Sequence, residues 1–287
     1  MAALSAVLNA PAIPGLDPAL EELEIGLLLE ALYGRFGLDY RSHERALLRR
    51  RLQGVVRERA LPSLSRLQEE VLHVPGVAAS VVRALAVPPA ALFDRPDWAR
   101  RQRTALADSL RPTALPKVWL PDVAGVGEAW TLAILLAEEK LYGRTEVFAT
   151  LTSDEQLHAV HDATLPIGQI ALAQAGYEAS GGNGRLLDYF DVTDGQARLL
   201  PRLRERITWA QYNLVTDASF NEFHAIVCCR ALPGFGPVLR QRVLRLFRDS
   251  LALFGVLGVD RALAATDAAV GDYQLLPGDG AWYKRIR

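Results

Sequence analysis

Lys117-Val-Trp-Leu-Pro-Asp-Val-Ala-Gly-Val-Gly-Glu-Ala-Trp-Thr-Leu-Ala-Ile-Leu-Leu136 decides the fold of this 287-residue chain. It reads as an apolar strand, a glycine-containing turn and an apolar helix. That order is the first unit of an α/β domain that binds a nucleotide or cofactor, because backbone N–H groups at the helix start can meet a ligand there. Two glycines, Gly125 and Gly127, are a weak signal taken alone. A tight strand-to-helix connection would need them equally.

The α/β pattern continues downstream. Strands are predicted at 117–123, 146–151, 207–212, 223–229 and 255–260, with helices at 130–142, 154–164 and 239–253 between them. Alternating strands and helices imply a mostly parallel sheet. Residues 281–287 can close a hairpin on the preceding strand. The stretch 165–203, with Gly181-Gly182 inside it, is too long for a simple crossover and reads as an insertion.

Upstream the period is helical. Leu20, Leu23, Ile25, Leu28, Leu29 and Leu32 suit one amphipathic helix. A second runs from a Ser42 cap to about Ala60, a third from Ser63 or Ser65 to His73, and a fourth over 77–85 after Pro75-Gly76. The division expected is a loose segment over 1–18, a helical domain over 19–87, a linker and helix over 88–116, and a Rossmann-like domain over 117–287.

Composition narrows the function classes. Half the residues are hydrophobic and 23% are charged, which is globular. The net charge of −1 gives no bulk attraction to nucleic acid or to a membrane surface. No apolar stretch is long enough to span a bilayer, and the N-terminus lacks a basic n-region, so a cytoplasmic protein is expected. Adjacent Cys228 and Cys229 rarely form a structural disulfide, and burial suits them better than reactivity. His158 and His161 share a helix side but have no third ligand spaced to join them, so no metal site is expected. No activated-nucleophile motif is present. The second helix carries Arg45, Arg49, Arg50 and Arg51. Such a run is usually a solvated face, though it can dock an acidic partner.

Several stretches taken together resemble the chemotaxis receptor methyltransferase (CheR) family. They are Phe36-Gly-Leu-Asp-Tyr-Arg, Leu48-Arg-Arg-Arg-Leu-Gln, Leu132-Ala-Ile-Leu-Leu-Ala-Glu-Glu, Phe148-Ala-Thr, Tyr212-Asn-Leu, Phe220-Asn-Glu-Phe, Cys229-Arg230 and Gln241-Arg-Val-Leu. The likeness runs from about Glu21 to Arg287. It implies a small all-α domain, then a Rossmann-like sheet that holds S-adenosylmethionine (SAM) and carries an inserted β-subdomain. The activity it implies is methylation of receptor glutamates. It also implies that the arginines at 45, 49, 50 and 51 meet an acidic protein surface, on a chemoreceptor or another signalling protein.

The residues that would do the chemistry match less well. The family's glycine motif resembles Trp-x-Ala-Gly-Cys-x-Thr-Gly-Glu-Glu. Here the run from Trp119 places Asp122 where a glycine admits the methionine end of the cofactor, and keeps one acid of the pair, Glu128. Leu151 stands where a carboxylate holds the ribose. Asp94 stands where an arginine lies at the site, and Phe235 where a tyrosine lies near the transferred methyl. Gly125, Gly127, Asn213, Leu214 and Arg230 remain as cofactor contacts. Losing the acceptor at Leu151 costs roughly 1.5–3 kcal/mol. A carboxylate facing the cofactor's own can cost up to about 4 kcal/mol at ~4 Å. The sum is on the order of a thousandfold or more in affinity. The expectation is therefore a CheR-type fold with weak or no binding of SAM or S-adenosylhomocysteine and no catalytic residues, acting as a binding or regulatory module. The competing readings are an active glutamate O-methyltransferase and a sensor for another nucleotide.

Overall fold

The computed structural model describes residues 17–278 and 281–287. The chain forms two compact units that meet in sequence between Ala86 and Val87. The expected loose segment over 1–18 lies almost wholly outside the described residues.

The first unit contains four helices among its described residues: α1 (Pro18–Phe36), α2 (Arg45–Glu58), α3 (Leu64–His73) and α4 (Val77–Leu85). The first three start where a side chain satisfies a first N–H group, and α4 follows Gly76 without a side-chain cap. Asp17 accepts from Ala19 N–H before α1, and Ser63 accepts from Arg66 N–H before α3. The expected Ser42 cap of α2 is replaced by Glu44, whose carboxylate accepts from Ala46 N–H. Ser65 ties α3 to α1 instead of capping, giving N–H and O–H bonds to the buried Glu24. The core is Ile25, Leu28, Leu29, Leu32, Leu48, Leu52, Val55, Val56, Leu67 and Val81. Leu20 and Leu23, expected inside, are exposed. The apolar stripe of α1 is wider than the face its neighbours cover.

The second unit opens with α5 (Pro96–Leu110) and continues as β1 (Lys117–Leu120), α6 (Val126–Glu138), β2 (Glu146–Leu151), α7 (Asp154–His161), β3 (Leu165–Pro166), α8 (Ile167–Ala179), β4 (Phe190–Thr193), β5 (Gln196–Leu199), α9 (Pro201–Arg204), β6 (Ile207–Gln211), β7 (Phe223–Cys228), α10 (Pro237–Ser250), β8 (Leu251–Val259), β9 (Tyr273–Leu275) and β10 (Trp282–Arg285). The large sheet runs β6-β2-β1-β7-β8-β10-β9, parallel from β6 to β8, with β10 antiparallel to both neighbours. This is an α/β fold of the SAM-methyltransferase type after a small all-α domain. The 165–203 insertion holds α8 and a separate antiparallel sheet, β3-β5-β4.

Strand alternation divides the core between the two sheet faces. Val118, Leu120, Val147, Ala149, Leu151, Val227 and Trp282 belong to one cluster, and Trp119, Phe223, Ile226, Leu257 and Tyr283 to the other. Several boundaries differ from the sequence reading: the expected helix over 239–253 is Pro237–Ser250, and β8 starts at Leu251 rather than at 255. β1 stops at Leu120, since Asp122 leaves extended backbone with φ 53°. α6 begins at Val126, four residues before the expected Trp130, because glycine at 125 and 127 starts the helix early.

A buried ion pair holds α10 to the loop after β8. Arg240 donates Nε and Nη2 to the two oxygens of Asp267, both at 2.9 Å, and Asp267 also accepts from Ala264 N–H. Replacing Asp267 by Ala strands a buried guanidinium. The expected loss is about 3–5 kcal/mol, read as a lower denaturant midpoint with the slope unchanged. A loss under about 1 kcal/mol would mean that water reaches Arg240.

Candidate functional site

In a doubly wound sheet, ligands bind beyond the carboxyl ends of the strands where the strand order reverses. Here that point is the tip of β1, between β2 and β7. Asp122, Gly125, Gly127 and Glu128 follow β1, and Cys229 and Arg230 follow β7. Val123 N–H donates to Thr150 O at 2.9 Å and ties the turn to β2.

The chain itself lies on this turn. A Cβ on Gly127 would fall 2.0 Å from the carbonyl oxygen of Ala90, and one on Gly125 would touch Pro89 at 3.7 Å. Glycine at 127 is therefore demanded by the close approach of the Pro88–Ala91 backbone. The segment is fixed on its far side as well. Phe93 N–H donates to Thr131 Oγ1 at 3.2 Å, and Gly176 leaves room for the Phe93 carbonyl, 2.4 Å from where its Cβ would be.

Arg230 is the centre of the polar groups. Its Nε donates to Glu128 Oε1 at 2.8 Å, and its Nη2 donates to Asp94. The Cys229 thiol donates to the same Glu128 oxygen at 3.1 Å. Arg95 donates to Cys229 O at 3.1 Å and lies over the Trp98 ring. Burial raises the Glu128 carboxyl despite Cys229 and Arg230. Burial first, then Glu128, pushes the Cys229 thiol well up, so it is no thiolate nucleophile. Burial works against the charge of Arg230, and the Asp94 and Glu128 carboxylates more than restore it. The cavity among these groups is about 30 Å³.

The other expected site residues go elsewhere. Leu151 is fully buried in the core, and its carbonyl accepts Tyr212 N–H. Asn213 spends its side chain on its own turn, where Oδ1 accepts from Val215 N–H at 2.8 Å. Leu214 and Phe235 are buried in the cluster with Trp119 and Phe247, on the opposite side of the sheet from Leu151. So Asp94, Asp122, Gly125, Gly127, Glu128 and Arg230 converge, while Asn213, Leu214 and Phe235 do not join them.

The fit to SAM is poor on these observations. Leu151 ends β2 in place of a carboxylate, Asp122 stands in the turn after β1, and backbone covers the glycine turn. A pocket for a ligand of this kind is about 300–1,000 Å³, and about 30 Å³ holds roughly one water.

In the first unit, Arg45, Arg49 and Arg51 of α2 are already engaged. Arg45 meets Glu22 at 3.4 Å, and Arg49 meets Glu21 at 3.2 Å and Glu22 at 2.9 Å. Arg51 turns inward and donates to Leu85 O at 2.5 Å. The expected four-arginine face is thus neutralised in part by α1, and Arg51 is not on it. No helix among the described residues is long and apolar enough to cross a membrane.

Comparison with known proteins bears on both units. The family model for the CheR methyltransferase all-alpha domain matches residues 23–86. A Pseudomonas putida (strain KT2440) protein named "Putative methyltransferase Cher3" is 31% identical over 236 residues, which is 82% of this chain and 86% of that one. The chain belongs to the CheR methyltransferase family. A Rhodobacter capsulatus protein, an uncharacterized 104.1 kDa protein in the hypE 3′ region, is 24% identical over 85% of this CheR-family chain, which spans only 25% of its length. Likeness to solved structures is slighter. The glycopeptide N-methyltransferase MtfA complexed with sinefungin gives 18% identity and a TM-score of 0.35, covering 61% of this chain and 52% of that one. The S-adenosylmethionine-dependent methyltransferase SibL in its apo form gives 13% and 0.35, covering 82% and 77%. Scores this low add nothing to the assignment.

Asp122 has a measurable signature. Burial, and then Glu128, pushes its carboxyl up to about 7. Unfolded aspartate titrates near ~3.9. Between these values the folded chain binds the extra proton, so stability falls as pH rises and the full penalty stands above about pH 7. Asp122→Asn, which also tolerates φ 53°, is expected to raise Tm by several degrees at pH 8. The gain should shrink towards pH 5. An equal gain at both pH values would remove burial of the charge as the cause.

Proposed function

We propose that this CheR-family chain has lost methyl transfer and serves as a binding or regulatory module in chemosensory-type signalling. The observation that carries the reading is the closed site. The backbone of Ala90 stands against Gly127, and Arg230 is held between Glu128 and Asp94, where the fold otherwise receives its ligand. Methyl transfer needs a donor and an acceptor carboxylate held in line at near-attack distance. The cavity of about 30 Å³ supports neither.

The second reading, an active SAM-dependent protein-glutamate O-methyltransferase, draws on Glu128 and Arg230 at the strand tips and on the methyltransferase name of the Pseudomonas relative. Titration calorimetry with SAM and S-adenosylhomocysteine separates the two. The expected result is no heat of binding at micromolar ligand, and no base-labile radiolabel on receptor fragments at saturating SAM. A micromolar dissociation constant would show that the Pro88–Ala91 segment lifts away. Ester formation would end the regulatory reading.

The partner proposed is an acidic protein surface, met by the α2 arginines. It has to compete with Glu21 and Glu22, which hold Arg45 and Arg49 within the unit. Glu21→Gln with Glu22→Gln should therefore tighten the association with an acidic chemoreceptor fragment several-fold at low salt. Arg49→Glu should weaken it and lower Tm slightly, since like charges then meet; exposed pairs of this kind are worth about 0.2–1 kcal/mol. Equal retention by the parent and both variants, measured by salt-dependent pull-down, would take the α2 face out of the interface.

A further inference from the structure

A large opening in the second unit lies away from the strand tips. It is a cavity of about 730 Å³ between the C-terminal half of α5 and the face formed by β8 and β10. His224, Leu253 and Phe254 place it at the amino-terminal ends of β7 and β8. Its size is that of an organic-ligand site, about 300–1,000 Å³.

The wall is shaped by an irregular strand. Along β8 the pairing with β7 jumps from Phe223↔Leu251 to Ala225↔Val256, so the residues between bulge out of the ladder. Leu253 and Phe254 are turned out to 53% and 59% exposure. Phe254 sits at φ 67°, a backbone that a bulky residue rarely takes. Gly255 permits the turn, since a Cβ there would lie 2.9 Å from Ala252 O and 3.0 Å from His224 O. Bulges re-aim side chains, and this one puts a strained aromatic ring on the rim of a cavity. Within the chain that ring meets only the Lys284 ammonium, 5.3 Å from its centroid, among the cation–ring and ring–ring contacts of the described residues.

The charged lining is mostly basic. Trp282 is 3% exposed and lines the cavity, yet its indole Nε1 has no hydrogen-bond partner among the described residues. The buried Nε of Arg101, another lining residue, has none either. Buried N–H groups are rarely left unpaired without a reason. His224 Nδ1 accepts from Lys117 N–H at 3.1 Å, which leaves its Nε2 as a donor. Arg100, Arg101 and Lys284 outnumber the one acid in the lining, Asp108.

We propose that this cavity binds a small organic anion with a flat apolar body, its acidic group taken by Arg101 and Lys284, and its body lying on Phe254 and Leu253. The acid is a carboxylate or a phosphate monoester, and two probes distinguish them. The full chain is titrated with 1-naphthoate and 1-naphthyl phosphate, with neutral 1-naphthol as control, by calorimetry and by tryptophan fluorescence. At least one anion should bind in the submillimolar range and raise Tm, with at least a tenfold preference over naphthol. Arg101→Gln with Lys284→Gln should remove that preference. Phe254→Gly should weaken both anions while holding or raising Tm, because glycine accepts the backbone angle. Asp94→Ala, at the other end of the sheet, should leave binding unchanged. The proposal is overturned if neither anion outbinds naphthol, if the double glutamine variant binds as the parent does, or if Asp94→Ala abolishes binding.

Discussion

The carbonyl of Ala90 comes so near the first turn of α6 that only hydrogen can occupy the side-chain position of residue 127. Much of the rest of the second unit's polar end follows from that contact. It sets the path of residues 88–95, which brings Asp94 to Arg230 and Arg95 to the Cys229 carbonyl. It also puts chain where the N-terminal dipole of α6 would otherwise meet solvent or a ligand. A glycine beside a strand tip is commonly read as room for a phosphate or cofactor. Here the same absence of Cβ is used by the protein's own backbone.

Arg230 then determines the charge of the region. With two carboxylates on one guanidinium, and a thiol giving its hydrogen to Glu128, the groups satisfy each other. Such a network is stable when complete and costly when one member is removed. It also leaves Asp122 as the local exception. Among the described residues that side chain forms no ion pair, and burial raises its carboxyl to about 7. The site thus sets one guanidinium against two carboxylates, beside a third carboxyl whose burial favours its protonated form.

The sequence carried the α/β order, the insertion and the helical first unit, because apolar periodicity and Pro/Gly punctuation are local signals. The parallel pairing of β1 with β2 and β7 followed from strands alternating with helices. Two kinds of feature were not legible. Leu20 and Leu23 carry the same periodic pattern as Leu28 and Leu32, yet nothing within α1 tells which part of a stripe will be covered. Arg45 and Arg49 read as free charge because Glu21 and Glu22 are more than twenty residues away in the chain. At the site the substitutions Asp122, Leu151, Asp94 and Phe235 were visible as departures. What they leave behind was not: the packing of residues 88–91 on Gly127 is a long-range backbone contact without a side-chain signature.

Two indoles connect the ends of the second unit. Trp98 borders the small opening at the strand tips, Trp282 borders the large one, and their rings stack at 5.2 Å with 29° between the planes. The outer ring edge of Trp282 rests against Gly258, where any Cβ would fall about 2.6 Å from its carbons. Trp282 is therefore held between a backbone it cannot enter and a partner ring it cannot pass. Arg95 in turn lies over the Trp98 ring, 5.2 Å from its centroid. The stacked pair gives the domain a chromophore whose near-ultraviolet dichroism records the spacing between its two ends.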